Sequence, residues 1–204
     1  LGSSNGVMLN GIRNSPHAPV PISSEAEYTL TFNERPSLLQ VQASGALEVT
    51  HVGAVQCGPN DSNSSLPFVV NLRVRSSETV GDASLAVSLA GEEVATYDLS
   101  VARAEDIETA ALDPATAEEV TELESGREYL FGAAPLTASE DYLYFHGPAD
   151  LELLAGSAEI NPYLFSASGF VAWSLRPVEA GELKLRVTTL GLTKDLTFAV
   201  ADPM

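Results

Sequence analysis

Apolar and polar residues alternate with a period of two through most of this chain. Leu183, Leu185 and Val187 interleave with Glu182, Lys184 and Arg186, and after a loop holding Gly191 the pattern returns in Leu196, Phe198 and Val200. That is the period of a strand with one face on a core and one in water, and it predicts a closing β-hairpin. An earlier stretch has the same form: Gly81 to Leu89, then Tyr97 to Val101. Tyr28, Leu30 and Phe32 set against Thr29 and Thr31 predict a strand over 25–33, a composition that suits a half-buried pleated surface. Short strands are expected over 38–43 and 46–52, divided by Ser44-Gly45, and another over 67–75. In the second half the expected strands are 128–131, 142–145, 151–154, 163–165 and 170–176, ahead of the closing hairpin. Parallel α/β folds need crossover helices with a 3.6-residue period, and none is legible here. The fold class is all-β.

The two halves overlay. Tyr28 matches Tyr129, Leu47-Glu48 matches Leu151-Glu152, Phe68-Val69 matches Phe170-Val171, and Gly81 matches Gly181. Each match lies about 100 residues further on, a common domain length. Loop insertions explain the small drift, because surface loops tolerate length change better than paired strands. A repeat of this length with short strands and regularly spaced turns is the sequence picture of a β-sandwich. The expected organisation is a tail or tether over 1–18, a sandwich over 19–104, an acidic linker over 105–114 and a second sandwich over 115–204, the two related by internal duplication.

Pro114-Ala115-Thr116-Ala117, Val120, Leu123, Ser125-Gly126 and Tyr129 carry a family resemblance, together with Ala180-Gly181-x-Leu183-x-Leu185-x-Val187 and Leu196-x-Phe198-x-Val200. They resemble bacterial immunoglobulin-like domains. The match covers the ends of the second unit and the last strands of the first. The Trp173 segment and the Ser/Asn-rich loop after Gly58 depart from the family pattern. The resemblance implies two consecutive immunoglobulin-like antiparallel sandwiches acting as a spacer or adhesion element on a bacterial surface, with no shared catalytic residues.

Charge narrows the partners. With 28 acidic and 10 basic residues the formal net charge is −18, so the surface repels phosphate backbones and anionic headgroups, which argues against nucleic acid as a partner. No apolar run approaches the roughly 18 residues that span a bilayer. Lys184 and Lys194 are the only lysines while Arg, Ala and Glu are common, a composition that fits GC-rich bacterial coding. Cys57 is the sole cysteine, so no intrachain disulfide forms, and it is expected to be a half-buried structural thiol. The sequence opens at Leu1 with a small polar stretch. This is expected to be a tether behind a removed signal peptide, with lipid anchoring through an upstream cysteine and an extracellular, cell-surface or periplasmic location.

Candidate chemistry is sparse. Gly2-Ser3-Ser4-Asn5-Gly6 satisfies Gly-x-Ser-x-Gly formally, but a nucleophile elbow needs a strand before the serine and a helix after it. His17, His51 and His146 have no metal-ligand spacing. Cys57 with His51 lacks an orienting third group. Glu105, Asp106, Glu108 and Asp113 are candidates to hold Ca²⁺ at the junction, since hard cations take six or more oxygens. Asn60-Asp61-Ser62-Asn63 is a second calcium candidate, and Asn60-Asp61-Ser62 and Asn63-Ser64-Ser65 are formal glycosylation sequons. Tyr142, Tyr144 and Trp173 are candidates for a sugar-stacking platform, set against the reading that such aromatics fill the sandwich core. The expected function is therefore a non-catalytic exported spacer, adhesion or assembly component engaging proteins, or itself, through edge strands. The alternative is a carbohydrate-binding module using the aromatics of the second unit.

Overall fold

The computed structural model describes residues 7–11, 18–57, 68–143, 149–163 and 171–203. The Gly-x-Ser-x-Gly match, His17, His146, Tyr144, Phe170 and the Asn60 to Ser65 loop lie outside them. The chain divides into two compact units, with the main boundary between Arg103 and Ala104.

Unit 1 contains β1 (Val7–Gly11), β2 (Val20–Pro21), β3 (Glu25–Phe32), β4 (Leu39–Gly45), β5 (Leu47–Val52), β6 (Gln56–Cys57), β7 (Phe68–Ser76), β8 (Gly81–Leu89) and β9 (Glu92–Ala102). One sheet has the order β1-β3-β7-β5, with β6 also on β7; the other is β2-β9-β8-β4. All pairs are antiparallel except β2 on β9, which is parallel. Alternation produces the core as expected: in β3, Ala26, Tyr28, Leu30 and Phe32 are buried, and they share one cluster with Val70, Leu72 and Val74 of β7 and Leu85 and Val87 of β8. Full burial of one such side chain contributes about 1.5–3 kcal/mol.

Unit 2 contains β10 (Asp106–Leu112), β11 (Glu122–Glu124), β12 (Tyr129–Leu136), β13 (Ala149–Ala155), β14 (Ala158–Tyr163), β15 (Val171–Pro177), β16 (Gly181–Thr189) and β17 (Leu192–Ala201). Its sheets are β10-β12-β15-β14 and β11-β17-β16-β13, with β11 parallel to β17. Phe131 and Trp173 lie 6.0 Å apart between ring centroids, and Phe198 meets Phe131 edge-on at 6.2 Å. These three rings centre the core.

The strand expected as an acidic linker is the first correction. Asp106–Leu112 pairs along its whole length with β12, from Asp106 opposite Leu136 to Leu112 opposite Leu130. Its acids sit on the outer face while Ile107 and Ala111 are buried. The inner face carries Ile107, Thr109 and Ala111, too weak an apolar signal to read as a strand.

Pairing register also corrects three of the matches between halves: besides those of Tyr28 and of Leu47-Glu48, Val171 faces Ala133 where Val70 faces Leu30, so Val171 holds the place of Val70 and not that of Val69. Gly81 and Gly181 do correspond, facing Val101 and Val200. Tyr28 faces Leu72 and its neighbour Ala26 faces Val74; Phe131 faces Trp173 and Tyr129 faces Leu175. With Val74 opposite Val49 and Leu175 opposite Ile160, Phe131 holds the place of Tyr28, and Tyr129 that of Ala26. Leu47-Glu48 lies on β5 whereas Leu151-Glu152 lies on β13, the counterpart of β4. In that pair Val41 and Leu151 correspond, facing Val87 and Val187.

Candidate functional site

The four junction carboxylates do not converge. Asp106 accepts from the Ile107 N–H at 2.7 Å and from Lys194 Nζ at 3.4 Å. Its carboxyl is held below the usual aspartate range, chiefly by the Ile107 hydrogen bond, with Lys194 adding a smaller effect against desolvation. Glu108 accepts from the Tyr142 hydroxyl, which raises that phenol above its ordinary value. Asp113 is buried, accepts from the Ala115 N–H at 2.8 Å and pairs with Arg127; Arg127 in turn lies 5.8 Å from the centre of the Tyr129 ring. Glu105 is exposed, and its backbone N–H donates to the Leu136 carbonyl. Among the described residues no group of three or more His, Cys, Asp or Glu is placed to hold a metal ion. These four carboxylates have four separate local contacts: Asp106 and Glu108 share the outer face of β10, about 7 Å apart along the strand, and Glu105 and Asp113 lie just beyond its two ends.

Trp173 is 6% exposed and belongs to the unit 2 core, so it offers no sugar-stacking face. Period-two alternation shows which residues share a face but not which face is inner, and the Phe131 pairing decides it. Tyr142 is 43% exposed and Tyr163 is 46% exposed. Tyr163 borders a cleft of about 340 Å³ whose lining includes Asp113, Glu128, Tyr129 and Ser174; there Ser174 Oγ donates to Glu128 at 2.5 Å. Cys57 is exposed, not half-buried, because β6 is an edge segment that pairs with β7 only through Gln56 and Cys57. His51 is exposed on β5, opposite Arg73.

Several other charged groups pair across the outer sheet faces. Arg73 binds Glu27 at 2.7 Å, Arg75 binds Glu25 at 2.7 Å, and Arg186 forks onto Asp195 at 2.7 and 2.8 Å. Exposed pairs of this kind contribute about 0–1 kcal/mol each. Their arrangement is that of sheet surfaces.

The edges differ from one another more than the faces do. An unpaired edge presents a row of free N–H and C=O groups, and proteins blunt such rows with charge, proline or bulges. Strand β5 has Glu48 and an irregularity between Val49 and His51; β10 has Asp106 and Glu108. Strand β13 has Asp150, Glu152 and an irregularity between Leu153 and Ala155; β14 has Glu159 and Pro162. Strand β4, Leu-Gln-Val-Gln-Ala-Ser-Gly, has no charge and no proline, and its register with β8 is unbroken.

In each unit, then, the first strand is shared between two sheets, whose orders are those of an immunoglobulin-like sandwich, A-B-E-D facing A′-G-F-C. The chain is a tandem of two immunoglobulin-like β-sandwiches. No family model and no curated protein matches it. Among solved structures it is similar to domains 5–6 of the S-layer protein SbsC, at 14% identity and a TM-score of 0.36, covering 98% of this chain and 100% of that one. It is similar to Yersinia pseudotuberculosis InvD at 15% identity and a TM-score of 0.41, covering 98% of this chain and 59% of that one. For the Yersinia pseudotuberculosis adhesin InvE the figures are 17%, 0.38, 97% and 59%. The chain spans about six tenths of the length of those last two.

Proposed function

We infer that this chain is a non-catalytic, exported immunoglobulin-like tandem serving as a spacer, adhesion or surface-assembly element of a bacterial cell. The observation that carries the reading is the repeated sandwich order, with Arg73, Arg75 and Arg186 paired to carboxylates along the outer sheet faces. Partners are engaged through edge strands, where main-chain hydrogen bonding supplies affinity. Internal duplication is the origin this reading gives the repeat, and lipid attachment ahead of Leu1 is the anchoring it favours.

Mild protease treatment of intact source cells tests the location. Release of peptides from β4 and β13 without cell lysis is expected; their recovery only after lysis contradicts an exposed location. A carbohydrate role keeps one foothold, the cleft beside Tyr163, and a glycan array on wild type and Tyr163→Ala decides it.

A further inference from the structure

The two units place different residues at corresponding edge positions. Gln40 and Gln42 of β4 face Ser88 and Ala86; their counterparts on β13 are Asp150 and Glu152, facing Thr188 and Arg186. Unit 2 thus has carboxylates where unit 1 has neutral amides, in a chain whose net charge is −18. Unit 2 also breaks the edge with an irregularity after Leu153, and unit 1 does not. Just before β4 stands Leu38, 78% exposed and with φ +48°, a left-handed conformation that L-residues rarely adopt.

We propose that β4 pairs antiparallel with β4 of a second copy of this chain, joining two unit 1 sheets across a two-fold axis. This rests on the reading of the chain as an edge-strand partner and names the edge and the occupant. Centred on Gln42, the pairing sets Gln42 against Gln42, Gln40 against Ser44 and Val41 against Ala43, so no like charges meet. It brings Leu38 of each copy beside the Gly45–Ala46 corner of the other. The corresponding pairing of β13 sets Glu152 against Glu152, which like-charge repulsion opposes. Two copies of so acidic a chain approach closely only where the edge is neutral, and β4 is the one such edge of six or more residues among the described strands. A single strand pair is small beside a standard interface, so the association is weak and reversible.

Sedimentation equilibrium of the full chain, up to about 1 mM, tests it. The average mass is expected to rise with concentration from 21.5 kDa toward twice that value. The Gln40→Asp/Gln42→Glu double variant, which copies unit 2, should remain a monomer with an unchanged melting temperature. Leu38→Gly should weaken association without loss of stability, since glycine accepts the left-handed backbone. Asn161→Asp on β14 should associate as wild type does. A wild type that stays monomeric throughout, or a double variant that associates equally, overturns the proposal. So does protection of the 39–45 amides by an unrelated extended peptide without self-association, which assigns the edge to a foreign strand. A monomeric wild type on a cell surface leaves the surface role standing; a self-pairing chain found only inside cells overturns that role and not the pairing.

Discussion

Gly45 and Gly156 occupy the same corner in the two units. Both have positive φ, +71° and +85°, and a Cβ on either would lie 2.2 Å from the Asp82 carbonyl oxygen or 2.6 Å from that of Glu182. In each unit the chain crosses from one sheet to the other directly over the start of the strand that begins at Gly81 or Gly181. Backbone approach at that distance leaves no room for a side chain. Gly45→Ala and Gly156→Ala should each cost about 2–4 kcal/mol, combining left-handed strain with the clash. Gly91→Ala, at φ +88° in open space, should cost only about 1–2 kcal/mol. Urea melts of the three variants separate the two terms.

Trp173 is the only tryptophan in the chain, which makes its emission a reporter for unit 2. Buried against Phe131, it should emit to the blue of free indole and shift red when unit 2 unfolds. Trp173→Ala should cost about 3–5 kcal/mol. A red-shifted native emission and a mild effect of the substitution would place the ring in solvent.

The Asp195 carboxyl is held below its ordinary range, first by the hydrogen bond from Arg186 and then, after desolvation opposing it, by that residue's charge. A depressed folded value means the pair adds stability above the unfolded aspartate value and loses it as pH falls through the folded one. Carbon-detected NMR titration should show Asp195 protonating below an ordinary aspartate, and Arg186→Gln should return it upward. Asp106 should titrate low as well, and because its main cause is the Ile107 N–H, Lys194→Gln should move it only partly.

Asp113 closes the turn after β10 through the Ala115 N–H and Arg127. Asp113→Ala should cost about 1.5–3 kcal/mol, the value of a hydrogen bond to a charged acceptor. Arg127→Gln should cost less, because the guanidinium is half exposed and the Ala115 bond survives. Thermal melts of the two variants check the order.

Much of this architecture was legible in alternation. The β8–β9 and β16–β17 hairpins bury Leu85, Val87, Leu185 and Val187 on one face and turn polar residues outward, as their spacing predicts. Correspondence between the halves was legible only in part. Tyr28 was matched to Tyr129 by identity, yet the position of Tyr28 belongs to Phe131, because a core site selects for ring size more than for a hydroxyl. Leu47-Glu48 was matched to Leu151-Glu152 because neighbouring edge strands share one period, and only the ladder distinguishes them. The Gln40/Asp150 and Gln42/Glu152 contrast was invisible for the same reason. Acidic β10 was masked because its inner face carries Ile107, Thr109 and Ala111, of which Ile107 alone has a strong hydrophobic signal.

The central claim is that one strand order is used twice, with the same core positions facing one another. Cross-strand Hα and amide NOEs in a uniformly labelled sample test it most directly. The account predicts contacts of Gln42 with Ala86 and Glu152 with Arg186, and of Tyr28 with Leu72 and Phe131 with Trp173. Contacts that place Tyr129 opposite Trp173, or Glu152 on the sheet of β15 instead of that of β16, would contradict it.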